Sequence, residues 1–482
     1  MDLCLTLAEG SQTSLVERIA RYSGQVRFIE ARLDYLEQPE IPRLPDLKGT
    51  ELIATHRPER EGGKYRGHEN ERLQFLSRAA RSGFAWVDLE HDVFEMPDLP
   101  GSTRIVRSYH SFDQFPDDLS GLFRRLKELP GDIPKIATTI PGTRELVRLL
   151  DWLESGSATA PFIVLGIGTF GQPSRLLNAF LGNHWTYVSE TDENAAALGQ
   201  FTLSQATKWY RLAQWHSVPA FYGVLGNPVS HSLSPPLHNH LFQHYKLDNL
   251  YASLPLDDLE AWFDYVSQSR LSFQGFSVTL PFKTEVTRFL QVMRSPVEAV
   301  NTLKRDGTSW EGFNTDYRGF LKPLTRKFSL KGKSALVLGN GGVVHTVVAA
   351  LQNEGMQVTV VGRNPERVSS FARKYGCRHA LLSDLPIKAD LCVNGTPVGQ
   401  HPQVQESPLS NRQLDFEVVY DLIYHPEETE LLRLARSQGL QTISGMEMFI
   451  EQAALQFFAW TRIDPDRELM SHKVRELLVH EQ

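Results

Sequence analysis

Over the first 215 residues, short apolar and β-branched runs alternate with stretches of helical spacing. The runs are LCLTL (3–7), VRFIEARL (26–33), ELIATH (51–56), AWVDL (85–89), TRIVRSY (103–109), IPKIATTI (133–140), PFIVLG (161–166) and HWTYVS (184–189). Strands separated by helices predict an α/β fold, and eight such runs fit a (β/α)8 TIM barrel better than a Rossmann sheet. From about residue 219 the grammar changes. Short strands FYGVLG (221–226), LYASLP (250–255), FQGFSVTL (273–280) and AVNTL (299–303) alternate with helices such as PPLHNHLFQHY (235–245). KSALVLGNGGVVHTVVAAL (333–351) then reads as strand, glycine turn and helix, with a second strand QVTVVGR (357–363) behind it. That is the opening of a Rossmann-type βαβ dinucleotide unit.

Composition narrows the class. A chain of 482 residues holds two to four domains. Its 50 Lys+Arg against 57 Asp+Glu leave a net charge of −7, which argues against a nucleic-acid binder. With 41% hydrophobic residues a packed core forms readily. The three cysteines, Cys4, Cys377 and Cys392, are scattered. They exclude a disulfide scaffold and a Cys-rich zinc site, and they fit a reducing compartment. No apolar stretch approaches the roughly 20 residues of a membrane span, and MDLCLTLAEG lacks the features of an export signal. The expectation is a cytoplasmic protein without a membrane partner.

In a barrel, residues at or after the C-terminal strand ends meet at one mouth. Glu30 and Arg32 lie on the second run, Arg57 and Glu61 follow the third, and His110 follows the fifth. Lys135 lies on the sixth, Arg175 follows the seventh and Gln200 follows the eighth. Polar loops alone explain many such residues. Lys135 is different, because it sits inside an apolar run. Burial there lowers a lysine's pKa toward a nucleophilic amine. In the second half, Gly339, Gly341 and Gly342 let the backbone approach a pyrophosphate at a helix N-terminus. The end of QVTVVGR carries Gly362, Arg363 and Asn364, with Arg367 behind, where an NAD site would place an acid. Guanidinium groups suit a 2′-phosphate, so NADP is the expected cofactor.

The second half resembles shikimate dehydrogenases. GNPVSHSLSPPLHN (226–239), GFSVTLPFK (275–283), EAVNTL (298–303), GFNTDYRGF (312–320), NGTPVG (394–399), YDLIYHPEETELL (420–432) and GMEMFIEQA (445–453) follow that family's order. The first half resembles type I 3-dehydroquinate dehydratases, through FIEARLD (28–34), HRPEREGG (56–63), YHSFDQFP (109–116), DIPKIA (132–137), GQPSRLLNAFLG (171–182) and ALGQFTL (197–203). Together they cover most of the chain, in the order of the fused bifunctional enzymes of plants and chlamydia-type bacteria. The implied domains are a barrel over 1–215, a substrate-binding domain over 219–325 completed by helices at about 445–480, and an NADP domain over 326–444.

The resemblance implies conversion of 3-dehydroquinate to 3-dehydroshikimate through an imine on Lys135. His110 is the acid–base and Glu61 its orienting partner. It places Glu30, Arg32, Arg57 and Gln200 around the substrate and Arg175 on its carboxylate. For NADPH reduction to shikimate it implies Lys283 and Asp316 as a coupled catalytic pair. Ser232, Ser234, Thr279, Asn301, Tyr424 and Gln452 then bind the substrate. Gly339, Asn340, Gly341, Gly342, Val343, Gly362, Arg363, Asn364, Arg367, Thr396 and Gly445 hold the cofactor. No metal is expected. Met448 shares a helix face with Gln452, and its sulfur is read as ordinary packing.

Departures from the families fall at Ala196, where the late loop usually has serine, at Leu233 for lysine and at Ser277 for asparagine. Gly362 and Asn364 also depart, bracketing Arg363 where Asn and Thr are common. Two rival readings stand beside the main one: a quinate/shikimate dehydrogenase fusion using NAD, and a non-catalytic metabolite-sensing regulator on the same domains. Retention of Lys135, His110, Lys283 and Asp316 argues against the regulator.

Overall fold

The computed structural model describes residues 1–159 and 161–479. Residue 480, the far end of the expected C-terminal helices, lies outside them. The chain divides into two compact units. One comprises Met1–Ser230 and Lys246–Phe273, the other His231–Tyr245 and residue 274 onward.

The first unit opens with eight strands, each on one of the eight predicted runs. They are β1 (Asp2–Leu7), β2 (Phe28–Arg32), β3 (Glu51–Thr55), β4 (Trp86–Glu90), β5 (Arg104–Ser111), β6 (Ile133–Thr139), β7 (Ile163–Ile167) and β8 (Trp185–Ser189). Between them run α1 (Gln12–Tyr22), α2 (Glu69–Arg81), α3 (Leu119–Glu128), α4 (Thr143–Glu154) and α5 (Gln172–Leu177). Parallel pairing runs β7-β6-β5-β4-β3-β2-β1-β8, and a short β9 (Phe201–Thr202) joins beside β8. Among the described residues the barrel closes between β7 and β8 through one parallel bridge, Phe162 to Asn183. The Asn183 side chain reinforces it by accepting from the Val164 N–H at 2.7 Å.

Strand side chains alternate between the helix layer and the barrel axis. The inward set starts as an apolar layer with one member from each strand: Cys4, Phe28, Ile53, Trp86, Val106, Ile133, Ile163 and Trp185. Two residues further toward the C-terminal ends stand Thr6, Glu30, Thr55, Asp88, Ser108, Lys135, Leu165 and Tyr187, all buried. Two residues along seven of the eight strands, all but β7 with its Leu165, thus change a hydrophobic floor into a polar layer.

This unit continues through the join at 209–221. Tyr210 is buried, and the Trp215 indole N–H donates to its carbonyl at 2.8 Å. Trp215 also packs edge-on against Phe180. The aromatic join is a packed contact. Beyond it come β10 (Ala220–Gly226) and, past α6 (Ser234–His244) of the other unit, β11 (Asn249–Pro255) and α7 (Leu259–Gln268). Strands β10 and β11 pair in parallel. Helices α4 and α7 are clamped at both ends. Asp257 accepts the Thr143 N–H at 2.9 Å, and the Thr143 hydroxyl accepts the Asp257 N–H at 2.9 Å. At the far end Glu154 accepts from the Tyr265 hydroxyl at 2.6 Å and from the Arg270 N–H at 2.8 Å.

The second unit holds β12 (Ser272–Val278) from its Gln274 onward, β13 (Val292–Arg294), β14 (Thr302–Asp306) and β15 (Ser309–Phe313), ordered β12-β14-β15-β13. The predicted strand 299–303 starts later, at Thr302. The Val300 N–H instead donates to the Lys283 carbonyl at 2.8 Å, which ties this segment to the lysine. After α8 (Thr315–Lys327) comes the Rossmann-type sheet. Its elements are β16 (Ser334–Leu338), α9 (Gly342–Asn353), β17 (Gln357–Gly362), α10 (Pro365–Tyr375), β18 (Arg378–Leu381), β19 (Leu391–Asn394), β20 (Val418–Asp421), α11 (Glu430–Ser437) and β21 (Gln441–Ile443). The all-parallel order is β18-β17-β16-β19-β20-β21. Its switch point lies between β16 and β19, where such sheets bind ligands. Apolar clusters cover both faces. The last described elements are α12 (Gly445–Thr461) and α13 (Arg467–Val479).

Candidate active sites

The first site fills the C-terminal end of the barrel. Glu30, Arg32, Arg57, His110, Lys135, Arg175 and Gln200 line one pocket. Glu61 stands behind His110. All eight residues expected from the barrel half are therefore together.

Lys135 is buried, as its apolar run requires, but it is not a lone amine. Its Nζ lies 3.0 Å from Asp88 Oδ2, 3.7 Å from Glu30 Oε1 and 4.2 Å from the centre of the Tyr187 ring. The expectation that burial alone sets its character is replaced by a charge-balanced pair. Asp88 also accepts from Arg57 at 2.9 Å and from the Ser108 hydroxyl at 2.5 Å. Burial opposes its charge, yet Arg57 and Lys135 hold its carboxyl far below the usual range. Two residues on, Glu90 lies 2.8 Å from Arg72 and 3.7 Å from Arg57. Burial and the neighbouring Asp88 charge outweigh both arginines and push it up to about 7.

Sequence reading missed Asp88 and Glu90. The signal was there. Trp86, Asp88 and Glu90 share one phase of β4, so the apolar floor residue is followed inward by two carboxylates.

The His110 side chain is 8% exposed. Burial first, then the charges of Arg57 and Lys135, pull its pKa down to about 3, so the ring is neutral. Its Nδ1 lies 2.7 Å from Arg57 and 3.1 Å from Glu61 Oε2. Glu61 Oε2 accepts the His110 backbone N–H at 2.8 Å as well. Burial pushes Glu61 up, but hydrogen bonding to the His110 imidazole, the His91 imidazole 3.1 Å away and the Arg57 charge overcome it and bring it to about 2.

The remaining barrel residues divide by what they touch. Arg32 is committed to Asp34 by a bidentate pair at 3.0 and 2.8 Å. Glu30 accepts from Thr6 at 3.1 Å and Thr55 at 2.9 Å. Arg175 donates Nε to the Gly166 carbonyl at 2.8 Å and has no ion pair among the described residues. Burial pulls it down to about 10. A buried guanidinium without a counter-charge suits an anionic ligand. The Gln200 carbonyl is taken by the Ala196 N–H at 3.0 Å, which leaves its amide donors for the pocket.

The second site is sparser. Lys283 Nζ donates to Asp316 Oδ2 at 2.6 Å, with side chains 23% and 11% exposed. Asp316 lies in the first turn of α8, where the helix dipole favours a carboxylate. Asn301 fixes that turn, accepting the Thr315 N–H at 2.8 Å and donating to the Thr315 hydroxyl at 3.0 Å. Gln452 comes from α12. A Cβ at Gly319 would lie 2.8 Å from the Gln452 Cβ, so only glycine lets α12 approach α8 so closely. Ser232 and Ser234 are local partners, the Ser234 N–H donating to the Ser232 hydroxyl at 3.3 Å. Thr279 accepts the Phe282 N–H through its carbonyl at 3.0 Å. Tyr424 stacks on Phe449. Met448 belongs to the apolar core, as its packing role predicted.

The departures have visible consequences. Leu233 is buried, so an apolar side chain replaces a family lysine with packing. The Ser277 hydroxyl donates to Gln456 at 2.9 Å, and Gln456 donates on to the Asn301 carbonyl at 3.2 Å.

The residues expected to hold NADP fit a dinucleotide. Gly339 has φ +96°, and a Cβ there would press on the Gly395 carbonyl and Thr396 at 3.1 Å. The turn after β16 therefore lies against the turn after β19, where Thr396 donates to Asn394 at 2.7 Å. Gly341 caps α9 with open space around it, and Gly342 and Val343 begin the helix, directly after Asn340. Gly445 opens α12 against the Ile423 backbone. Asn364 caps α10 by accepting the Arg367 N–H at 3.0 Å, directly after Gly362 and Arg363. Arg363 and Arg367 are exposed and make no ion pair among the described residues.

Comparison with known proteins places these geometries. The type I 3-dehydroquinase family matches residues 3–217. The shikimate dehydrogenase substrate binding domain matches 224–303, shikimate/quinate 5-dehydrogenase 323–406, and the shikimate 5′-dehydrogenase C-terminal domain 445–475. A chloroplastic bifunctional 3-dehydroquinate dehydratase/shikimate dehydrogenase of Arabidopsis thaliana is 30% identical, over 96% of this chain and 82% of that protein. A Synechocystis shikimate dehydrogenase (NADP+) is 37% identical, over 54% of this chain and 94% of that protein. A solved shikimate dehydrogenase in complex with NADP+ is 29% identical, with a TM-score of 0.50, over 54% of this chain and 96% of that chain. No described helix is long and apolar enough to cross a membrane.

Proposed function

The chain belongs to the family of bifunctional 3-dehydroquinate dehydratases/shikimate dehydrogenases, and from that premise we propose how its residues carry out the two reactions. The barrel dehydrates 3-dehydroquinate and the second unit reduces 3-dehydroshikimate to shikimate. The observation that carries the mechanism is that Lys135, His110 and the uncompensated Arg175 line one pocket.

Water must leave a β-hydroxy ketone whose α-proton is too weakly acidic for a side-chain base. Lys135 adds to the carbonyl and expels water, giving an imine that stores the electron pair of the departing α-proton as an enamine. Before attack the ammonium sheds a proton, and the carboxylates of Asp88 and Glu30 are within reach. His110 takes the α-proton and returns it to the leaving hydroxyl. Glu61 orients the imidazole, and Arg175 holds the substrate carboxylate. Hydrolysis of the unsaturated imine frees Lys135.

In the second unit Lys283 gives a proton to the carbonyl oxygen, and Asp316 keeps that ammonium in place. NADPH, when bound, supplies the hydride. The turn at Gly339–Gly342 and the α9 N-terminus hold its pyrophosphate, and Arg363 and Arg367 take its 2′-phosphate. Ser232 and Ser234 hold the substrate carboxylate, and Asn301, Thr279, Tyr424 and Gln452 its ring side.

Borohydride added with 3-dehydroquinate traps a reduced adduct on Lys135, read by peptide mass spectrometry. Initial rates with shikimate or quinate, each with NADP or NAD, favour shikimate and NADP. An unmodified Lys135 defeats the imine route, and preference for quinate with NAD replaces the reductase reading.

A further inference from the structure

The Glu61 carboxylate has two occupied faces. Oε2 lies against His110, while Oε1 lies 3.1 Å from Nδ1 of His91. His91 is the first residue after β4, and its backbone N–H donates to the Ser108 carbonyl at 2.7 Å. Its ring meets Tyr109 edge-on at 5.0 Å. Exposure grades along the row, from 38% for the His91 side chain to 5% for Glu61 and 8% for His110. A line of imidazole, carboxylate and imidazole therefore leads from the surface to the pocket.

The row matters because Nδ1 of His110 is contested. Arg57 offers it a donor at 2.7 Å, and Glu61 offers an acceptor at 3.1 Å. If Arg57 prevails, the ring proton sits on Nε2, and no lone pair faces the substrate. If Glu61 prevails, Nδ1 carries the proton and Nε2 is the base. Glu61 comes from a single 3-10 turn, Glu59–Glu61, and has no side-chain partner besides the two histidines among the described residues. Oε2 is anchored by the His110 backbone N–H at 2.8 Å, and what is held at the second oxygen decides how the carboxylate is turned toward Nδ1.

We propose that His91 is a positioning residue of the dehydratase, holding Glu61 by its free oxygen so that the carboxylate, and not Arg57, sets the His110 tautomer. The proposal rests on His110 being the proton-transfer group. The charged and titratable groups around His91 are Glu61, Asp92, itself held by Arg60, Glu90, and Tyr109.

The test uses the full chain, whose reductase activity serves as the folding control. His91→Leu lowers dehydratase kcat about tenfold, the range for partners that orient an active group, with the 3-dehydroquinate KM within twofold. The primary isotope effect on the abstracted proton rises. His91→Asn keeps a donor near the Nδ1 position and restores kcat to within twofold. A kcat unmoved by His91→Leu, no rescue by His91→Asn, or a fall shared by the reductase activity or the melting temperature overturns the role. Borohydride labelling of Lys135 stays unchanged in both variants. Its failure in the unsubstituted chain, or full activity of His110→Ala, would sink the underlying mechanism instead, so the two failures are told apart.

Discussion

The two sites solve opposite problems. The barrel buries its reactive lysine at 4% exposure among Asp88, Glu30, Arg57 and His110, all but closed to water. The reductase leaves Lys283 partly open over a buried Asp316, and Arg363 and Arg367 stand on the surface. The covalent route handles one small substrate, so the charges around its lysine are balanced before the substrate arrives, Arg175 alone being left for the substrate carboxylate, and removing one carboxylate unbalances the rest. A hydride transfer admits two ligands to an open cleft, so its charges wait for ligands and cost the fold little. Function and stability are therefore coupled in the barrel and nearly independent in the reductase.

The largest effects break the sites apart. Lys135→Ala is expected to lower dehydratase turnover on the order of 10⁴-fold or more, as for loss of a covalent nucleophile, with shikimate oxidation within twofold. Lys283→Ala should lower the reductase kcat by about 10²–10⁴-fold, the usual worth of acid–base catalysis, and spare the dehydratase. Steady-state assays of both reactions on each variant decide it. Loss of both activities from either change would contradict separate sites.

Next comes stability. Asp88→Asn strips Lys135 and Arg57 of their shared carboxylate and should cost about 3–5 kcal/mol in denaturant unfolding. Asp316→Asn removes the partner of a partly exposed lysine and should cost under about 1 kcal/mol, while cutting the reductase kcat. Equal losses would erase the distinction between a prebalanced and a waiting site.

The same contrast governs what was legible beforehand. All eight barrel strands fell on apolar runs, because the barrel floor needs one apolar residue from each. The site residues carried by loops were legible through their motifs. Asp88 and Glu90 were not, since they lie within a strand, where only their shared phase with Trp86 turns them inward. Nor could the chain reveal that Lys135 is paired, because its partners lie 47 and 105 positions earlier. In the reductase, Asn301 reads as a substrate ligand from its motif, yet in the fold its amide also fixes Thr315, next to Asp316. Gln456, which takes up the hydroxyl of the unusual Ser277, lies 179 positions away and had no local signal.

A smaller effect tests the waiting charges. Arg363→Ala should raise the NADPH KM by roughly 10–100-fold, the worth of a hydrogen bond to a charged group, leave any activity with NADH within twofold, and not change the melting temperature. An equal rise for both cofactors would remove the 2′-phosphate from Arg363.

The smallest effect returns to the barrel. His56 is buried between Tyr65 and Phe75, and burial pulls its pKa down to about 4. The folded state thus keeps this ring neutral at pH 5, while the unfolded chain takes up a proton below about pH 6.5. The unfolded state binds more protons over that window, so stability falls as pH drops from about 6.5 toward 4. His110 adds to the same slope but is needed for catalysis, which makes His56 the cleaner probe. His56→Phe preserves an aromatic ring and removes the titration. It should flatten the loss between pH 7 and 5 by about 1–2 kcal/mol, read from urea midpoints at each pH, with the dehydratase rate at pH 7 within about twofold. An unchanged slope would mean that His56 is already protonated in the fold, and would take this part of the pH dependence away from the barrel interior.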